Sequence, residues 1–331
     1  MSVPPKADDP TPRPRRGCAR RLVRAAVLAL AALAVLGALA TQALRAAAER
    51  RFPRSGELVE VEGLKQHVLR RGEGPPVVFV HGAYGGLQDF EATILDAASQ
   101  RYHCVLWDRP GHGYSERPSE PLDPGGQARL LLGLVRELGL ERPLLVGFSY
   151  GGAVCLAAGL EAPEELRGLL LLNAPSHPWP DPLDLEYRLS QKPILGRLLS
   201  ETVTAPLGWL LSKRSVAAAF DPEPIPPHFD RSPVALALRP ASYRANTEDI
   251  FLLKPFLRAQ APRYPELALP VLALVGTGDT VVSPVLHIPE LSRAAPACRE
   301  VRLEGVGHPL LYAHPERVLA ALDEALGEPG R

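Results

Sequence analysis

The sequence carries no net charge, its 37 Lys and Arg residues balancing 37 Asp and Glu. That balance removes the electrostatic footprint of a nucleic-acid-binding chain and of one that takes a strongly charged substrate, so the expected partner is small or neutral. Cysteine is scarce too. Cys18, Cys104, Cys155 and Cys298 are too few and too scattered to build a disulfide framework. No Cys-x-x-Cys pair or Cys/His cluster has the spacing of a zinc site, and no metal is expected. Internal repeats are absent. What remains is ordinary globular material, 46% hydrophobic and 22% charged over 331 residues, enough for one large domain with an insertion.

The chain begins with a basic stretch. Residues 1–24 are rich in Pro and Arg and hold seven Lys or Arg against two Asp, which reads as a disordered segment that stays in the cytoplasm. The next twenty residues, 25–44, contain no charge, and at about 1.5 Å per residue such a helix matches a bilayer core of about 30 Å. Two readings compete. One is a cleaved signal, with Ala38-Leu39-Ala40 as a small-residue cleavage site near Ala40 and a secreted or periplasmic product. The other is an uncleaved anchor, favoured because the run is longer than a usual signal core. The basic excess on the leading side, seven residues against Arg45, Arg50, Arg51 and Arg54 on the other, then puts the remaining domain outside the cytoplasm. Residues 45–56 read as a linker.

Beyond the linker the polarity pattern becomes that of alternating strands and helices. Residues 57–62 and 65–71 alternate around Gly63, as a two-stranded hairpin does. Val77 to Val80 is a short apolar run between Pro75-Pro76 and His81-Gly82, the mark of a strand buried on both faces. Similar runs recur at 102–107, 144–148, 168–173, 271–275 and 299–303. Between them, residues 88–99, 126–138, 150–160, 285–294 and 315–326 carry apolar positions at helical spacing. This rhythm predicts a doubly wound, mostly parallel sheet covered by helices on both faces. It breaks once. Residues 174–261 hold no clear buried strand but do hold helical pieces such as 185–199 and 247–260, which predicts a helical cap inserted after the sixth strand. The core then comprises residues 57–173 and 262–331.

Gly147-Phe148-Ser149-Tyr150-Gly151 carries the strongest chemical signal. Chance gives Gly-x-Ser-x-Gly in about one chain in ten of this length, so the context decides. An apolar strand runs into Ser149 and a helix runs out, the arrangement of a nucleophile elbow. Small residues two before and two after let the serine occupy a strained backbone, and the helix N-terminus beneath it offers a free N–H at Tyr150. His81-Gly82-Ala83-Tyr84-Gly85-Gly86 follows the third strand, where the N–H of Ala83 joins that of Tyr150 as an oxyanion hole. His81 reads as a residue that orients this loop rather than as the base. An acid and a base must follow in the order Ser, Asp, His. Asp279 lies just past the strand at 271–275, and His308 just past that at 299–303, both in Gly-flanked loops at the edge of the sheet where sites gather. The expected roles are Ser149 as nucleophile, His308 as general base and Asp279 as the carboxylate that fixes its tautomer.

From about residue 57 to 327 the chain resembles the α/β-hydrolase superfamily, on these three loops and on the segment Asp108-Arg109-Pro110-Gly111-His112-Gly113-Tyr114-Ser115 after the fourth strand. The resemblance implies an eight-stranded sheet, a lid over the pocket, no cofactor, and a structural rather than catalytic role for residues 108–115. Epoxide hydrolases and haloalkane dehalogenases are similar but place Asp at the elbow, whereas Ser149 points to acyl-enzyme chemistry. Asn173 stands where some relatives hold their acid; it cannot act as a carboxylate, which favours Asp279. Aromatic residues of the insertion, Tyr187, Trp209, Phe220, Phe229, Tyr243 and Phe251, point to an apolar substrate or to packing within the cap, and Tyr84 and Tyr150 are the better substrate contacts. The leading expectation is a serine hydrolase acting on an ester or related acyl bond of a small apolar substrate. The alternatives are a cofactor-free haloperoxidase or perhydrolase, a C–C bond hydrolase with the same triad, and a non-catalytic ligand-binding sensor.

Overall fold

A computed structural model of the protein describes residues 16–327. Residues 1–15 of the basic start therefore lie outside the described residues. Helix α1 (Arg16–Arg51) runs unbroken between Pro14 and Pro53. Residues 16–24, expected to be disordered, and residues 45–51, expected to be linker, both belong to it. Arg, Ala and Leu dominate the two segments and favour helix, and neither contains the proline that would end one.

The hairpin of β1 (Glu57–Val61) and β2 (Leu64–Arg71) turns through Glu62 and Gly63, both at positive φ, as a tight two-residue hairpin requires. There follow β3 (Pro76–Val80), α2 (Gln88–Glu91), α3 (Leu95–Ala98), β4 (His103–Trp107), α4 (Pro124–Glu137), β5 (Leu144–Phe148), α5 (Tyr150–Glu161) and β6 (Gly168–Leu172). The chain then leaves the sheet for α6 (Leu185–Ser190), α7 (Pro193–Thr202), α8 (Thr204–Phe220), α9 (Val234–Ala237) and α10 (Pro240–Gln260). It returns with β7 (Val271–Gly276), α11 (His287–Ala294), β8 (Cys298–Leu303), α12 (Leu310–Ala313) and α13 (Pro315–Leu326). The eight strands form one sheet in the order β1-β2-β4-β3-β5-β6-β7-β8, antiparallel for the first two pairs and parallel thereafter.

Alternate residues of the central strands feed two cores. Val78, Val80, Leu145, Leu169 and Leu171 pack with α4 and α5 on one face. Val77, Phe79, Val146, Leu170 and Leu172 pack with α2, α3 and α13 on the other. A strand with both faces covered must be apolar at every position, which is why these runs do not alternate in the sequence.

Two helices expected to be continuous are broken. Residues 88–99 form α2 and α3, separated where the Thr93 hydroxyl donates back to the carbonyl of Asp89 at 2.7 Å, a competitor for the helical bond. Residues 185–199 split at Lys192, which is extended because Pro193 follows it and disfavours the helical conformation. In the other direction, the helix expected at 247–260 begins earlier, at Pro240, a residue suited to a first turn.

Candidate active site

Ser149 sits between β5 and α5 with φ 50° and ψ −123°, a region that a non-glycine residue occupies only under constraint. The neighbouring glycines show what imposes it. A Cβ at Gly151 would lie 2.1 Å from the carbonyl oxygen of Val80, and one at Gly147 would lie 2.6 Å from Cα of Gly152. Only glycine fits at either place, so the turn is sharp enough to lift the hydroxyl clear of the sheet.

His308 comes from the loop after β8 and Asp279 from the loop after β7. Nε2 of His308 lies 3.1 Å from Oγ of Ser149, and its Nδ1 lies 2.7 Å from Oδ2 of Asp279. A carboxylate facing Nδ1 places the ring proton there and leaves Nε2 to accept from the serine hydroxyl. The other carboxylate oxygen, Oδ1, accepts the backbone N–H groups of Val281 and Val282, each at 2.8 Å. These bonds fix the acid in turn. Residues 149, 279 and 308, which span 159 positions of the chain, thus meet, and all three are buried.

Around them lies a cavity of about 1220 Å³. Ala83, Tyr84 and Tyr150 border it, as do Val203, just before α8, and Leu207 and Leu211 from α8. Of the insertion aromatics, Tyr187, Phe229 and Tyr243 line the cavity, whereas Trp209 and Phe251 are exposed and Phe220 is buried. Tyr84 has φ 53° and its N–H donates to Oδ1 of Asn246 on α10 at 2.7 Å, so the insertion itself holds the loop after β3. The ring of Tyr150 lies 4.3 Å from the guanidinium of Arg109, and its hydroxyl accepts from Gln127 at 3.3 Å.

His81 is wholly buried, and its Nε2 accepts the N–H of Arg109 at 2.9 Å. Burial and the adjacent guanidinium hold it well below the usual histidine range, so it stays neutral and is spent on the loop. Arg109 completes that support by donating to the carbonyls of His81 and Gly82 at 3.0 and 3.1 Å.

Two residues near the site escaped the sequence reading of roles. Asn173, at φ 45°, bridges the loop that carries His308 and the last residue of β7, from which the loop of Asp279 departs. The only signal was its position at the end of a strand. Asp89 borders the cavity and accepts the Tyr312 hydroxyl at 2.7 Å; burial pushes its carboxyl up to about 6, against the opposing effect of that bond. No local pattern marks it. Among the described residues no group of three or more His, Cys, Asp or Glu is placed to hold a metal ion.

Residues 75–315 match the sequence model of the alpha/beta hydrolase fold family. Haloalkane dehalogenase 2 of Mycobacterium tuberculosis is 28% identical over 79% of this chain and 91% of its own length. The 2-(acetamidomethylene)succinate hydrolase of Mesorhizobium japonicum is 27% identical over 80% of this chain and 92% of its own. Among solved structures, a membrane phospholipase A superposes with a TM-score of 0.66 at 22% identity, covering 93% of this chain and 98% of that one.

Proposed function

The chain belongs to the α/β-hydrolase family, and from that premise we propose that it is a serine hydrolase cleaving an ester or related acyl bond of an apolar substrate through an acyl-enzyme. The observation that carries the reading is the relay from Asp279 through His308 to Ser149, at 2.7 and 3.1 Å. The serine hydroxyl attacks the acyl carbon while its proton passes to Nε2 of His308. The negative oxygen that forms is held by the N–H groups of Ala83 and Tyr150, worth about 3 kcal/mol per donor in comparable sites. His308 returns the proton to the leaving alcohol, which departs. Water then repeats the sequence on the acyl-enzyme, releasing the acid and freeing Ser149.

The elbow residue argues against the chemistry named for the dehalogenase relative. A serine oxygen that displaced a halide from carbon would be left as an alkyl ether, which water does not cleave under these conditions, so the enzyme would not turn over. An acyl ester on the same oxygen is hydrolysed readily. The helical insertion serves as a cap whose apolar side chains, Val203, Leu207 and Leu211 among them, receive the apolar part of the substrate.

We further propose that α1 is retained as an anchor, with the hydrolase domain outside the cytoplasm. It is the one helix among the described residues long and apolar enough to cross a membrane, and that window has none of its residues buried. Cleavage near Ala40 would discard Gly37, where a Cβ would come 2.3 Å from the carbonyl of Thr202, a contact that only a retained helix makes. The hydrolase reading is tested with a series of p-nitrophenyl esters of increasing chain length. The expected outcome is turnover that rises with chain length and is abolished in Ser149→Ala. Equal rates in the two proteins would refute it.

A further inference from the structure

The uncharged run of α1 is only as long as the bilayer core is thick, and the protein packs against part of it. Residues 20–33 are exposed throughout, but from Ala34 onward a stripe at helical spacing, Gly37, Ala38, Thr41, Leu44 and Ala48, is partly or fully covered. The cover comes from the insertion: Gly37 abuts Thr202 at the end of α7, and Leu44 and Ala48 share a crevice with Ala205 and Trp209 of α8. About twenty residues are needed to cross about 30 Å of hydrocarbon, so residues 25–44 have none to spare. Gly37 must then lie about 10 Å inside the boundary that Leu44 marks, taking about 1.5 Å per residue. Thr202, in contact with it, lies at the same depth.

The composition of the two insertion helices agrees with that depth. Ile194, Leu198, Trp209 and Leu210 are 86%, 52%, 61% and 70% exposed, an apolar surface that water alone does not explain. Between Lys192 and Phe220 the charged side chains are Lys192, Arg197, Lys213, Arg214 and a single acid, Glu201, which pairs with Arg244 at 3.1 Å. Exposed apolar residues beside an excess of basic ones make the pattern of a helix that lies in the membrane interface. Trp209 stands beside Leu44, at the level where the uncharged run ends and where tryptophan is favoured. On another side of α8, Leu207 and Leu211, with Val203 just before the helix, form a wall of the cavity above Ser149. One helix thus carries both a wall of the cavity and part of the exposed apolar surface.

We propose that α7 and α8 are immersed in the bilayer alongside α1, and that the cavity takes ester-linked acyl chains directly from the membrane. The inference deepens the hydrolase reading given above and rests on it and on the retained helix. The test uses the full chain reconstituted in phosphatidylcholine vesicles and has two readouts. In vesicles of phosphatidylcholine brominated near the glycerol end of its chains, tryptophan fluorescence is quenched, and the quenched component disappears in Trp209→Phe. In vesicles containing monoolein, Ile194→Glu combined with Leu210→Glu slows fatty-acid release by about tenfold or more, while hydrolysis of soluble p-nitrophenyl butyrate stays within about twofold of the parent. Neither residue borders the cavity. Equal quenching in parent and Trp209→Phe, or monoolein hydrolysis unaltered in the double variant, would overturn the proposal. So would a parent that cleaves the soluble ester but not monoolein. Absent quenching together with crosslinked dimers in the same vesicles would also overturn it, assigning the apolar patch to a second copy of the chain. A parent inactive on both esters would refute the hydrolase reading and with it the acyl-chain supply, while the quenching would still report on the immersion.

Discussion

Asn173 holds the backbone of His308: its side-chain Nδ2 donates to the carbonyl of His308 at 2.8 Å and to that of Gly307 at 3.2 Å. Its Oδ1 accepts the N–H of Gly276 at 2.8 Å, so one buried amide ties the loop after β8 to the end of β7. It shares that work with the N–H of His308, which donates to the carbonyl of Ala219 at 2.9 Å, and with the N–H of Gly278, which donates to the carbonyl of Val306 at 3.0 Å. Asn173→Leu keeps the volume and removes the bonds, and displacement of the imidazole is expected to lower kcat by about tenfold to a hundredfold with little change in KM. Steady-state kinetics on a soluble ester checks this. An unchanged kcat would show that the loops are held by other contacts.

Gly151 has no room for a side chain, since its Cβ would lie 2.1 Å from the backbone oxygen of Val80, which belongs to a central strand and cannot move aside. Gly151→Ala should therefore lose about 1–3 kcal/mol of stability or more. Urea denaturation measures the difference. A loss below about 0.5 kcal/mol, the usual scatter for a surface change, would mean that the elbow is looser than its geometry indicates.

Asp89 makes stability depend on pH. Its carboxyl is raised from 3.8 to about 6 in the folded protein, chiefly by burial, so the folded state holds the proton more tightly than the unfolded chain does. The corresponding stability is fully present below about pH 4 and is lost as the pH rises through about 6, a difference of about 3 kcal/mol at most. Asp89→Asn does not titrate there. Thermal melts should show the variant gaining on the parent between about pH 4 and pH 6, with a constant gap above about pH 7. A gap that does not vary with pH would contradict the raised carboxyl.

Much of this architecture is legible locally. Strands buried on both faces announce themselves as short apolar runs, and Gly147 and Gly151 mark the elbow because the serine backbone demands small neighbours. Helix α13 falls where the periodicity places it, at Pro315–Leu326. What the sequence concealed depends on distant contacts. Asn173 reveals its bridge only when two segments more than a hundred residues further on fold against it. Asn246 has no pattern that would connect it to the N–H of Tyr84, and the elevation of Asp89 arises from burial, not from its neighbours in the chain. Helix α1 outruns its uncharged span at both ends for a related reason: charge closes an apolar run, yet arginine and alanine continue a helix as well as leucine does.

If the hydroxyl of Ser149 is the nucleophile, a fluorophosphonate probe labels the protein at that residue alone. Mass spectrometry of the labelled parent should place a single adduct on the peptide containing Ser149, and Ser149→Ala should take up none. An adduct on another residue, or equal labelling of the variant, would assign the nucleophile to a different side chain.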